Sequence, residues 1–73
     1  MTLDKLLRTT AWTETTLAKA VGVGQPAINR LRTKRRTASP QLALAIEKAT
    51  QGVVKRTDVP LIAANRKLLA QLP

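Results

Sequence analysis

Apolar and polar positions along the chain alternate at helical spacing in several short runs, each bounded by a glycine, a proline or a small hydroxyl residue. Leu3, Leu6 and Leu7 fall at i, i+3 and i+4 and predict a first helix over about 2–9, with Thr2 as its cap and Asp4 in its first turn. Leu17, Ala18 and Val21 predict a second helix over about 14–21. Thr13 is its N-cap, Glu14 sits at the positive end of its dipole, and Gly22 is its left-handed stop. A third helix starts at about Gln25, where Pro26 fits the first turn because its missing N–H does no harm there. Ile28 and Leu31 point to one side with the preceding Val23, while Gln25, Asn29, Arg30 and Thr33 point to another, and the pattern fades by Thr33.

A fourth helix is predicted over about 40–50. Ser39 and Pro40 are its cap and first residue, Gly52 its stop, and Leu42, Ala45, Ile46 and Ala49 its apolar face. The β-branched segment 53–59 reads as extended, without an Asn-Gly or Asp-Gly hairpin signal. With Asp58 as a cap, Leu61, Ile62, Leu68, Leu69 and Leu72 then lie on one broad stripe, which predicts a fifth helix through about residue 72. A β-ribbon over 53–64 is the competing reading. The whole reads as one all-α domain of 73 residues, with a core that is thin for a chain of this length.

The run Thr13 to Leu31 forms a unit of helix, glycine turn and helix. Ala18 is small where the helices cross, Gly22 permits the turn, and Leu17, Val23, Ile28 and Leu31 fill the angle between them. Such a pair holds its second helix out from the body, where it fits a DNA major groove about 12 Å wide. On the outer face, Gln25 and Asn29 have the side chains that pair with adenine N6 and N7. Arg30 reaches guanine or a phosphate, and Pro26 suits a thymine methyl.

Charge strengthens this picture. Thirteen Lys and Arg against four Asp and Glu give a net charge of +9, which favours polyanionic partners, either nucleic acid or an acidic membrane surface. Five of the seven residues from Arg30 to Arg36 are cationic. Placed just after the reading helix, Arg32, Thr33, Lys34, Arg35 and Arg36 are expected to contact phosphates, which set register and salt-sensitive affinity without reading sequence. With no cysteine and no histidine, disulfides, thiolate chemistry and the usual zinc sites are excluded. The four acids are scattered over different helices and no phosphate-binding glycine loop is present, so neither an enzyme, a cofactor nor a small-molecule substrate is expected. No signal peptide and no run of 18 or more apolar residues is seen, and the expected location is the cytoplasm, on the nucleoid. Trp12, the single aromatic, is expected to pack where the first two helices meet.

The segment Leu17-Ala-Lys-Ala-Val-Gly-Val-Gly-Gln-Pro-Ala-Ile-Asn-Arg-Leu31 resembles the helix-turn-helix of phage Cro and repressor proteins. The later Ser39-Pro40 and Ile46 to Asp58 are similar to the YdaS-type, Cro-like branch of bacteria and prophages. The resemblance implies a compact, five-helix, lambda-repressor-like domain. It also implies a homodimeric repressor on a short pseudo-palindromic operator, with Gln25 on an adenine and Thr13 touching a phosphate. The tail departs from the branch, because Val59-Pro60 leads into a leucine-rich segment. Its apolar stripe is expected to serve a two-fold interface at least in part, or, in an antitoxin-type reading, to mask a toxin partner.

Overall fold

The computed structural model describes residues 1–72 and contains five α-helices and one 3-10 turn: α1 (Leu3–Thr9), α2 (Glu14–Val21), α3 (Gln25–Arg32), α4 (Pro40–Ala49), the turn Arg56–Asp58 and α5 (Ala63–Ala70). Among the described residues there is no strand. The all-helical fold expected from the periodicity is the one observed.

Three of the first four helices, α1, α2 and α4, begin where the sequence supplies a side-chain cap. The Thr2 hydroxyl accepts from the Lys5 N–H at 3.3 Å, and Ser39 accepts from Leu42 at 3.2 Å. Thr13 and Thr16 cap reciprocally: the Thr16 N–H donates to Thr13 Oγ1 at 3.1 Å and the Thr13 N–H to Thr16 Oγ1 at 2.9 Å. Gly24 precedes α3 without a side-chain bond, and Pro26 lies in its first turn. Gly22 ends α2 at φ 79°, with its N–H and that of Val23 both donating to the Ala18 carbonyl. That left-handed geometry strains any residue bearing a Cβ.

One core joins all five helices. Leu3, Leu6, Leu17, Ala18, Ile28, Leu31, Ala38, Ala43, Ile46, Val54, Val59 and Leu69 are buried, with Leu7, Trp12, Val21, Val23 and Leu61 packed around them. Trp12 thus lies against the core next to the α1–α2 join. On α4 the buried line runs through Ala43, Ile46 and Thr50, while Leu42, Ala45 and Ala49 flank it half-buried. The helix is turned by about one position from the expected face. The cause is Thr50, which looks like a polar terminator but enters the core: its hydroxyl donates to the Ile46 carbonyl at 2.9 Å and accepts from the Val54 N–H at 3.2 Å. Gly52 is not the residue that stops α4. Gln51 takes the first left-handed position at φ 55°, and Gly52 follows at φ 84°.

In the tail the expected fifth helix forms, but it starts only at Ala63. The β-ribbon does not form. Val54 and Val59 are buried five positions apart, a spacing that no strand alternation produces. The N–H groups that a ladder would have paired go to carboxylates instead: Arg56 N–H donates to Glu47 at 3.0 Å and Lys55 N–H to Asp58 at 3.1 Å. Asp58 therefore closes the 3-10 turn and does not cap α5, which starts at Ala63 after Ile62 with no side-chain cap. A single backbone bond, Ala38 N–H to the Pro60 carbonyl at 2.7 Å, ties the loop after α3 to the tail.

Candidate nucleic-acid interface

Leu17 and Ala18 of α2 meet Ile28 and Leu31 of α3, and all four are at most 2% exposed. Val23 closes the turn half-buried and Gly22 is exposed. Of the six residues expected to form the crossing, four are buried between the two helices and Val23 and Gly22 lie in the turn that joins them.

The polar side of α3 divides into two rows. Pro26, Arg30 and Thr33 are exposed and stand four and three residues apart, on one face. The Thr33 hydroxyl donates back to the Asn29 carbonyl at 2.9 Å. The second row, Gln25, Asn29 and Arg32, leans toward the acids of α1 and α2. Gln25 Nε2 donates to Glu14 Oε1, Asn29 Nδ2 to Glu14 Oε2 at 3.0 Å, Arg32 Nη1 to Glu14 Oε2 at 3.3 Å, and Arg32 Nε to Asp4 Oδ1 at 2.8 Å. Arg8 lies 3.5 Å from the same Asp4 carboxylate. Hydrogen bonding from Asn29, then from Gln25 and Arg32, holds the Glu14 carboxyl below its ordinary range against the opposing effect of burial. The Arg32 guanidinium does the same for Asp4, and the Asp4 carboxylate raises Arg32 in turn.

Sequence reasoning gave Glu14 only a dipole role and missed it as a hub. The signal was present: Glu14 is three and four residues before Leu17 and Ala18, so it shares the α2 face turned toward α3. Arg32, expected on a phosphate, is the cation of that run held by acids. Thr13 is exposed at the start of α2 with its hydroxyl engaged in the cap.

Beyond α3 the chain turns through Lys34, at φ 62°, and continues through Arg35 and Arg36. Arg30, Lys34, Arg35 and Arg36 are all exposed and have no carboxylate partner among the described residues. Each acid of the chain is paired elsewhere: Asp4 and Glu14 as above, Glu47 with Arg56 at 2.7 Å, and Asp58 with the Met1 amine at 2.9 Å. Positive charge is therefore concentrated, uncompensated, at the end of α3.

In the tail, Leu69 is buried in the core and Leu61 packs half-buried against it, whereas Ile62, Leu68 and Leu72 are 52%, 49% and 42% exposed. The stripe expected to serve an interface is split: Leu69 is spent on the chain's own core and three residues are left outside. Among the described residues, no helix is long and apolar enough to cross a membrane.

These features define a small helix-turn-helix domain with a strongly cationic edge beside its second helix. A family model, described as Bacterial toxin YdaS, matches residues 9–60, and the chain belongs to that family. The matched region spans the crossing, α3, the cationic loop, α4 and the 3-10 turn, and stops before α5. No curated protein and no solved structure matches the chain. The family placement and the helical fold fit a DNA-binding regulator or a toxin–antitoxin-related role.

Proposed function

We propose that the chain binds double-stranded DNA sequence-specifically, with α3 in the major groove, as a homodimeric transcriptional repressor acting in the cytoplasm. The observation that carries this reading is the cluster Arg30, Lys34, Arg35 and Arg36, exposed and without a carboxylate partner, on the last turn of α3 and in the loop directly after it. These cations would neutralise phosphates on either side of the groove, with Thr33 and Thr13 adding hydroxyl contacts. Pro26, Arg30 and the outward parts of Gln25 and Asn29 would meet base edges. The paired state of all four carboxylates supports a binding protein rather than an enzyme, and neither a cofactor nor a small-molecule substrate enters the reading.

Homodimerisation is supported by the exposed Ile62, Leu68 and Leu72. To reach successive half-sites, a two-fold pairing through that patch would have to set two copies of α3 about 34 Å apart, one turn of DNA. Sedimentation of Leu68→Glu beside the parent chain tests it, since an undiminished dimer rules the patch out as the interface.

Selection of bound sequences from a random duplex pool tests the central claim. A specific site should be favoured at least ~1000-fold over random DNA. Gln25→Ala should lose about 1–3 kcal/mol on the selected site and little on random duplex. Equal losses on both would remove Gln25 from base reading. A second reading, a protein that acts with a toxin–antitoxin partner, is favoured by the family's description as a bacterial toxin. The leucine-rich tail favours the antitoxin side of such a pair, with the tail masking a toxin. A pull-down from the native host that returns only DNA counts against either side.

A further inference from the structure

Glu14 sits at the edge of the surface that would meet DNA, where a negative charge opposes a polyanion. Yet it is the residue on which the two amide side chains of α3 converge. Gln25 Nε2 donates to one of its oxygens and Asn29 Nδ2 to the other, the latter at 3.0 Å. We infer that Glu14 is a specificity-determining residue: it fixes both amides with their carbonyl oxygens turned toward the groove, so that α3 reads base edges carrying an exocyclic amino group. This rests on the DNA-reading function proposed above.

The chemistry of the donors and acceptors decides it. An ionised carboxylate only accepts, so an amide beside it must present its NH2 group to it and turn its oxygen away. Gln25 and Asn29 are four residues apart on one face of α3, and each faces one oxygen of a single carboxylate. Their orientations are therefore set together. In the major groove, adenine N6 and cytosine N4 are donors, whereas guanine O6 and N7 and thymine O4 are acceptors. An outward carbonyl pairs with the first pair of bases and is repelled by the second. The hydrogen of each NH2 that lies on the carbonyl side stays free for adenine N7. Arg32, at 3.3 Å from Glu14 and 2.8 Å from Asp4, offsets the negative charge that would otherwise oppose approach to the phosphates. Arg8, beside Asp4, adds to that balance.

Replacing the carboxylate with an amide removes the constraint, because a glutamine at 14 can accept or donate and lets Gln25 and Asn29 turn over. The test is selection from a random duplex pool with the parent chain, Glu14→Gln, Gln25→Ala and Asn29→Ala. The two alanine variants mark the base pairs each amide contacts. At those base pairs the parent should prefer adenine or cytosine over guanine and thymine. A well-formed bidentate pair discriminates about 5- to 150-fold, and Glu14→Gln should bring this down to about threefold or less. Random duplex should be bound a few-fold more tightly by Glu14→Gln, since a negative charge is lost. If Glu14→Gln keeps the parental preference, or if the parent prefers guanine or thymine there, the clamp is overturned while DNA reading stands. If the parent shows no preference at any position, DNA reading falls and the clamp with it.

A measurement on the parent chain guards against a variant that does not fold. The side-chain NH2 resonances of Gln25 and Asn29 should shift together as the Glu14 carboxyl is protonated by lowering the pH. Independent or absent shifts would overturn the shared clamp.

Discussion

Between residues 13 and 36 each element is started or stopped by a residue at its own boundary, whereas between 53 and 72 the backbone outside α5 is held by side chains four to nine residues away along the chain. Thr13 and Thr16 cap α2 within one turn, and Gly22 ends it. In the tail, Glu47 takes the Arg56 N–H, Thr50 takes the Val54 N–H, and the Arg66 guanidinium reaches the Thr57 and Val59 carbonyls. The locally specified unit presents a rigid helix face, which base reading requires. Outside α5, the tail gains its shape from side-chain bonds made by Glu47, Thr50 and Arg66 to its backbone.

The largest test of this contrast lies within the tail. Leu68 and Leu69 are neighbours on the same helix, one half exposed and the other 1% exposed. Leu69→Ala should cost about 2–5 kcal/mol of unfolding free energy, the range for a buried leucine. Leu68→Ala, at a concentration where the chain is monomeric, should stay within about 0.5 kcal/mol. Denaturant unfolding of both separates them. Equal small effects would mean that α5 is not anchored to the core.

This difference also explains what could be read from sequence. The α2–α3 crossing was legible because i, i+3, i+4 spacing, a threonine cap and a glycine stop act over one or two turns. The tail was not, because the fate of Val53-Val54 depends on whether Glu47 and Thr50 reach the backbone that follows. β-Branched residues are compatible with a strand and equally with two isolated insertions into a core. The leucine stripe was legible as a stripe, but periodicity does not state that Leu69 faces inward and Leu68 outward when the helix starts only at Ala63. In the site, the amides and cations were legible as residue types. Their division into a bound row and a free row was not, since it depends on acids 11 to 28 residues away.

Thr50 gives a second, smaller break. Its hydroxyl is the buried link between α4 and the tail. Thr50→Val keeps the shape but leaves the Val54 N–H without its partner, which should cost about 1–3 kcal/mol. If the loss is negligible, that bond is not what fastens the tail to α4. Amide exchange offers a local readout, with protection falling first at Val54.

Acid should act on both regions. Glu14 and Glu47 are held below their ordinary 4.5, and Asp4 below 3.8, by hydrogen bonds from Asn29, Arg56 and Arg32 respectively. Depressed folded-state values mean that these groups stabilise the fold fully above their unfolded values and lose that contribution as pH falls through the folded ones. The melting temperature should therefore be flat near neutrality and decline below about pH 4.5. Glu47→Gln should remove the tail's share of that decline and Glu14→Gln the share of the crossing. A melting temperature independent of acid would show that neither ion pair matters to the fold.

The smallest expected effect comes from Lys34, at the boundary where local geometry and function conflict. Its N–H donates to the Leu31 carbonyl and that of Arg35 to the Arg30 carbonyl, the pattern of a left-handed helix stop, with φ 62° at a residue that bears a side chain. Glycine fits this position without the Cβ penalty but brings a more flexible unfolded chain. Lys34→Gly should therefore stabilise the fold by a net of about 0.5 kcal/mol. The same change removes a cation from the run after α3, so DNA affinity should fall about equally on specific and random duplex, with a salt slope smaller by about 1. Opposite signs in unfolding and binding would place Lys34 among the residues kept for contact at the expense of local comfort. If stability rises while binding and its salt slope stay fixed, the DNA surface ends at α3 and the loop beyond it is only solvated charge.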